Sequence, residues 1–137
     1  MVIVDSSVWI DFLNQKGTPQ TSWLRAQQNI RTIGLTSLVL TEVLQGIRFD
    51  NRFRNAEQFF RTMSVFDSPT WPLAIRAADN FRTLRRIGVT IRSTIDCLIA
   101  TFCIETGYQL LHSDGDFDYF EQHLHLSVLH PPALRIP

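Results

Sequence analysis

Lysine and cysteine are scarce in this 137-residue chain, and no long apolar run occurs in it. None of its hydrophobic stretches approaches the ~20 residues that a membrane helix needs, which argues against an integral membrane protein. The N-terminus, Met1-Val2-Ile3-Val4-Asp5, has no basic lead and no extended apolar segment, so no secretory signal is expected. The two cysteines, Cys97 and Cys103, fall in one predicted helix. Their spacing turns them more than about 90° apart around its axis, a poor arrangement for a disulfide. They read as packing thiols of a cytoplasmic protein. Also missing are the G-x-x-x-x-G-K-[ST] and G-x-G-x-x-G phosphate loops and the G-x-S-x-G nucleophile elbow.

What is present suits one folded domain spanning residues 1–137. A chain of this size buries roughly two thirds of its unfolded surface. With 45% hydrophobic residues it can build a core without staples. The formal net charge of zero hides an uneven layout. Of the 13 basic residues one is Lys16 and the others are arginines. Between Arg48 and Arg92 nine arginines face four acids, Asp50, Glu57, Asp67 and Asp79. A basic middle between acidic ends suits a protein that grips phosphate with one surface and metal with another, although solvated helical surfaces produce the same skew.

Along the chain, short apolar runs alternate with helical patterns. Val2-Ile3-Val4 reads as a buried strand ending at Asp5, and Ser6-Ser7 offers an N-cap for a helix through about Leu13. After Gly17-Thr18-Pro19 a helix runs to about Gln28, and Thr32 to Leu35 reads as a second strand. Thr36 or Ser37 caps a helix whose Leu40, Val43, Leu44 and Ile47 share one face. A helix from Asp50 carries Phe53, Ala56, Phe60 and Met63 inward, and Ser64-Val65-Phe66 is a third strand. Pro72 to Arg86 is a long helix with Ala74, Ala77, Ala78 and Phe81 inward, ended by Gly88. Ser93 opens a helix closed by Gly107. Tyr108 to His112 is a strand, Asp116 to His123 a short helix, Leu126 to Leu129 a last strand, and Pro131-Pro132 the start of a tail. The alternation implies an α/β sandwich around a parallel sheet of four to five strands, with ligands bound beyond the strands' carboxyl ends.

The acids fall where such a site would lie. Asp5 ends the first strand, and Asp114-Gly115-Asp116 follows the apolar strand Gln109-Leu110-Leu111. Glu42 is the lone charge in an otherwise apolar and uncharged helix; it is either a solvent-facing residue or a site residue. Asp96 is the third residue after Ser93, where a capping box and the helix dipole would favour an acid for local reasons alone. Two carboxylates ~4 Å apart repel by about 4 kcal/mol at an effective dielectric near 20. A cluster of such groups must therefore take up protons or bind cations. Oxygen-only ligands select hard ions such as Mg²⁺ or Mn²⁺, which activate water and stabilise in-line displacement at phosphorus.

Four segments, in order, carry a family resemblance. Val-Ile-Val-Asp5-Ser-Ser-Val-Trp-Ile-Asp-Phe-Leu, Leu-Thr41-Glu42-Val-Leu-Gln-Gly46-Ile, Thr94-Ile95-Asp96-Cys-Leu-Ile-Ala100 and Leu-Leu-His112-Ser-Asp114-Gly-Asp116-Phe117 resemble the four motifs of PIN-domain proteins, specifically VapC-like toxins of type II toxin–antitoxin systems. The resemblance spans nearly the whole chain. It implies a PIN-like fold and a cytoplasmic, Mg²⁺- or Mn²⁺-dependent endoribonuclease, with Asp5, Glu42, Asp96 and Asp114 as catalytic metal ligands and Asp116 as an auxiliary one. It also implies RNA as substrate, a VapB-like antitoxin that neutralises the enzyme, and a homodimer. His112 departs from the pattern, since many relatives carry Thr or Ser there. The alternative within the family is a catalytically inactive PIN fold that binds RNA or protein. Haloacid-dehalogenase-like phosphatases and response-regulator receivers also place an Asp after the first strand. Both need a Lys beyond a later strand, and Lys16 lies in the wrong region.

Overall fold

The computed structural model describes residues 1–133, so only the last part of the expected tail, residues 134–137, lies outside the described chain. Four short strands form one sheet: β1 (Val2–Val4), β2 (Ile33–Thr36), β3 (Ser64–Phe66) and β4 (Gln109–Leu111). Their order is β3-β2-β1-β4, and every pair is parallel. β1 is β-branched throughout and sits centrally, and β2 is buried at all four positions, as strands covered on both faces must be. The expected fifth strand, Leu126 to Leu129, reduces to a single parallel bridge between Leu110 and Val128. Gly34 lets β2 and β3 approach closely. A Cβ there would stand 2.9 Å from the Ser64 carbonyl oxygen and 3.0 Å from the Phe66 ring.

Parallel pairing demands crossovers, and the helices supply them. α1 (Ser6–Leu13) and α2 (Pro19–Arg25) link β1 to β2, and α3 (Ser37–Gln45) and α4 (Asp50–Arg61) link β2 to β3. α5 (Trp71–Arg86) and α6 (Thr94–Thr106) link β3 to β4, and α7 (Phe117–Leu124) follows β4. The helices form two packed groups, α1 to α4 and α5 to α7. α6 is buried on several sides, through Asp96, Cys97, Ile99, Ala100, Thr101 and Cys103, and it ends at Gly107 in the left-handed conformation that glycine adopts freely. Both cysteines are buried and unpaired, as their spacing predicts. Among the described residues no helix is long and apolar enough to cross a membrane.

Several local expectations are corrected. α2 stops at Arg25, short of Gln28. In α5 Leu73, Ala77 and Leu84 are buried and Phe81 packs against the core as expected, whereas Ala74 and Ala78 face solvent. The helix rotates so that its leucines, which gain most from burial, enter the core. In α4, Ala56 and Phe60 are buried but Phe53 is exposed. Phe59 and Phe60 join Trp9 and Phe12 in an aromatic cluster between α1 and α4, edge-to-face except for the stacked Phe12–Phe59 pair. The first helix is capped by Asp5 itself, since its carboxylate accepts the Ser7 N–H, and Ser6 is already helical.

Candidate active site

Two acids arrive by strand ends and two by helices. β1 and β4 are hydrogen-bonded neighbours, so the residues after them, Asp5 and the Asp114-Gly115-Asp116 turn, reach the same edge of the sheet. Asp5 is anchored there by its own N–H, which donates to the Leu111 carbonyl at 2.9 Å. Thr36 caps α3, whose second turn carries Glu42, and Ser93 caps α6, whose first turn carries Asp96.

The tightest group is Asp96, Asp114 and Asp116, each offering a carboxylate oxygen within 4.8 Å of the others. Asp5 and Glu42 border this trio. Asp96 feels the negative charges of Asp5, Asp114 and Glu42, and Glu42 feels those of Asp5 and Asp114. All five acids singled out in the sequence therefore gather at one place. Asp116, expected as an auxiliary ligand, lies in the tightest trio, and Asp5 stands beside it.

Charge and burial set the protonation of the group. Asp96 is 8% exposed, and burial, followed by the neighbouring carboxylates, pushes its carboxyl up to about 7. Burial likewise raises Asp5, against hydrogen bonds from Ser7 that favour its charged form. Glu42 is raised mainly by burial, opposed by the hydroxyl of Ser6. At Asp96 one half of the expected capping arrangement is present. Its N–H does donate to Ser93 Oγ at 3.2 Å, but among the described residues its carboxylate makes no return bond to the Ser93 backbone.

Ser6 and Ser7, read in the sequence as cap residues only, hold the acids. Ser6 Oγ donates to Glu42 Oε1 at 3.1 Å, and Ser7 Oγ donates to Asp5 Oδ2 at 2.6 Å while accepting the Ser113 N–H at 3.1 Å. The only sequence signal for this was a pair of hydroxyls directly after a strand-end acid. Among the described residues, Asp5 Oδ1 is buried without a hydrogen-bond partner. A buried carboxylate oxygen with no donor needs a proton or a cation, and an all-oxygen set of clustered acids suits a hard divalent ion.

The PIN domain model matches residues 2–122. Ribonuclease VapC11 of Mycobacterium tuberculosis is 30% identical over 124 residues, covering 86% of this chain and 90% of its own length. In fold, the chain resembles the structure of FitAB bound to an IR36 DNA fragment, with a TM-score of 0.77, 16% identity and 99% of each chain covered. It also resembles DNA-bound VapBC from Salmonella typhimurium, with a TM-score of 0.74, 20% identity, and 93% of this chain and 96% of the other covered. A gathering of acids at the carboxyl ends of β1 and β4, matched by a family model over all four acidic segments, has one reading: the chain belongs to the PIN domain family.

Proposed function

We propose that the chain is a metal-dependent endoribonuclease of the VapC type, a cytoplasmic toxin held in check by a VapB-like antitoxin. The observation that carries this reading is the convergence of Asp96, Asp114 and Asp116 within 4.8 Å, bordered by Asp5 and Glu42. Asp5, Glu42, Asp96 and Asp114 would hold Mg²⁺ or Mn²⁺, with Asp116 as a further ligand. When bound, such an ion supplies an activated water and a counter-charge for the phosphate under attack. The chain's own part is to keep the ligands in place. Ser7 orients Asp5, Ser6 orients Glu42, and the Asp116 N–H fixes Asp114 by donating to its Oδ1 at 3.0 Å. An inactive binding module would have no use for five mutually repelling acids, two of them, Asp5 and Asp96, buried. The test is incubation with single-stranded RNA and Mg²⁺ or Mn²⁺. Products with 5′-phosphate and 3′-hydroxyl ends support hydrolysis, and intact RNA would overturn it.

RNA grip is assigned to the basic middle. Arg48, Arg52, Arg54, Arg85, Arg86 and Arg92 are all exposed, and among the described residues none of them makes an ion pair. The helix order places Arg85 and Arg86 at the end of α5 and Arg92 shortly before the helix that carries Asp96. Charge reversal at Arg85 and Arg86 together is expected to weaken RNA binding and flatten the log–log salt dependence by about one unit for each phosphate no longer neutralised. Unchanged affinity and slope would remove these two residues from the RNA surface.

The antitoxin is assigned to a groove of about 750 Å³ between the end of α1 and the α3–α4 corner, lined by Leu13, Ile47, Arg48, Phe49, Arg52 and Phe59. Of the large apolar residues on and beside α4, Phe60 lies in the core and Phe59 and Met63 pack against it. Phe49, 63% exposed under the Arg52 guanidinium, remains as an apolar anchor at the groove. A structure of the same fold is a toxin–antitoxin complex from Klebsiella pneumoniae, which supports a protein partner here.

A further inference from the structure

His112 sits at the end of β4, between the sheet and the acidic turn, and neither strand pairing nor the acid cluster accounts for it. Its side chain is 8% exposed, and its ring packs on Phe117 with centroids 4.9 Å apart. Its one hydrogen bond among the described residues is to the backbone: Nδ1 accepts the Asp114 N–H at 3.1 Å. The Asp114 carboxylate in turn accepts the Asp116 N–H through Oδ1 at 3.0 Å. These two bonds link the imidazole to the Asp114 backbone, and the Asp114 carboxylate to the Asp116 backbone, so both residues of the turn are tied in series. An acceptor two residues before the N–H it holds has the geometry of an Asx- or ST-turn, here made by an imidazole nitrogen.

Accepting at Nδ1 fixes the tautomer, because the proton of the neutral ring must then lie on Nε2. Among the described residues Nε2 is buried without a hydrogen-bond partner, and the nearest acid oxygen, Asp118 Oδ1, is 4.0 Å away. The unmet bonding at Nε2 is tolerated while Nδ1 is used, so the Nδ1 contact is the interaction that this placement preserves.

We propose that His112 is a positioning residue: through Nδ1 it holds the backbone of the Asp114-Gly115-Asp116 turn so that both carboxylates face Asp96. The proposal rests on the reading of these acids as a cation site. What it adds is that the site's order depends on an acceptor at one ring position. The requirement is for an acceptor in the right place, not for an imidazole. An Asn at 112 supplies one through an Asx-turn. A Leu supplies none, and a Gln carries its acceptor too far along, near the Nε2 position.

The experiment compares the parent protein with His112→Asn, His112→Leu and His112→Gln. Two readouts are taken: the Mn²⁺ dependence of the melting temperature, and the hydrogen exchange of the Asp114 and Asp116 amides without metal. His112→Asn is expected to keep both amides protected and to keep the parent's apparent Mn²⁺ affinity within about twofold, whereas His112→Leu and His112→Gln lose the protection and weaken Mn²⁺ by about tenfold, the lower range for a group supporting a ligand. Gln makes the comparison should the Leu variant fail to fold. Equal protection and equal Mn²⁺ response in the parent, Asn and Gln proteins would overturn the positioning role while leaving the cation site standing. No Mn²⁺ response in the parent itself would overturn the cation site, and this role with it.

Discussion

Asp96→Asn and Asp5→Asn, each tested on RNA with saturating Mn²⁺, are expected to lose at least about a thousandfold in cleavage rate while remaining folded. Both substitutions preserve shape and remove charge. Asp96 is 8% exposed and under the influence of Asp5, Asp114 and Glu42, so an amide there removes negative charge from the centre of the group. Asp5 presents one buried oxygen with no donor, and the amide replaces a carboxylate that the cation site needs. Asp5→Asn should retain the helix cap, because a side-chain oxygen can still accept the Ser7 N–H, and Asn caps as well as Asp does. Circular dichroism should therefore match the parent. Near-parental cleavage by both variants would remove these acids from the chemistry.

The second large effect is on stability. Without metal the folded chain must hold its acids together, and unfolding relieves their repulsion. A cation that binds only the folded site stabilises by about 2.7 kcal/mol at a hundredfold excess over Kd. For a chain of this size that raises the melting temperature by about 10 °C. The pH dependence follows from the raised carboxyls. Asp96 is held up to about 7 in the folded protein, against an ordinary value of 3.8, and Asp5 and Glu42 are raised as well. The folded state thus binds more protons than the unfolded state over that interval. Metal-free stability is greatest below about pH 4 as far as these groups are concerned, and falls as pH rises towards about 7. His112, whose burial lowers its pKa, acts in the opposite direction below its ordinary 6.5. Protons and cations compete for the same oxygens, so the Mn²⁺-induced gain grows over the same interval. In Asp96→Asn, metal-free stability should be equal or higher, its fall with pH shallower, and the Mn²⁺ gain much reduced. Equal Mn²⁺ shifts in the two proteins would mean that Asp96 is not a ligand.

Much of this was legible in the chain. The β-branched run before Asp5, the Gly107 stop and the Ser93 cap each act locally, and each marked its element. The acids were legible because strand ends and the first two turns of the helices that follow strands are positions that topology brings together. The hydroxyls were not. Ser6 meets Glu42 across 36 residues of sequence, and Ser7 meets Ser113 across 106, and no local pattern encodes either pairing. The facing of α5 was misread because Ala74 and Ala78 are compatible with either side of a helix, and the packing of Leu73 and Leu84 settles it. The last strand falls short because an apolar run near a sheet edge does not reveal how many of its backbone groups find partners; here Val128 alone of the run forms a bridge, to Leu110.

The most direct test of the central claim is RNA cleavage by the purified protein under metal control. The account predicts cleavage with Mn²⁺, none in excess EDTA, recovery when Mn²⁺ is restored beyond the chelator, and no recovery at any Mn²⁺ concentration for Asp96→Asn. Cleavage that persists in excess EDTA would contradict it.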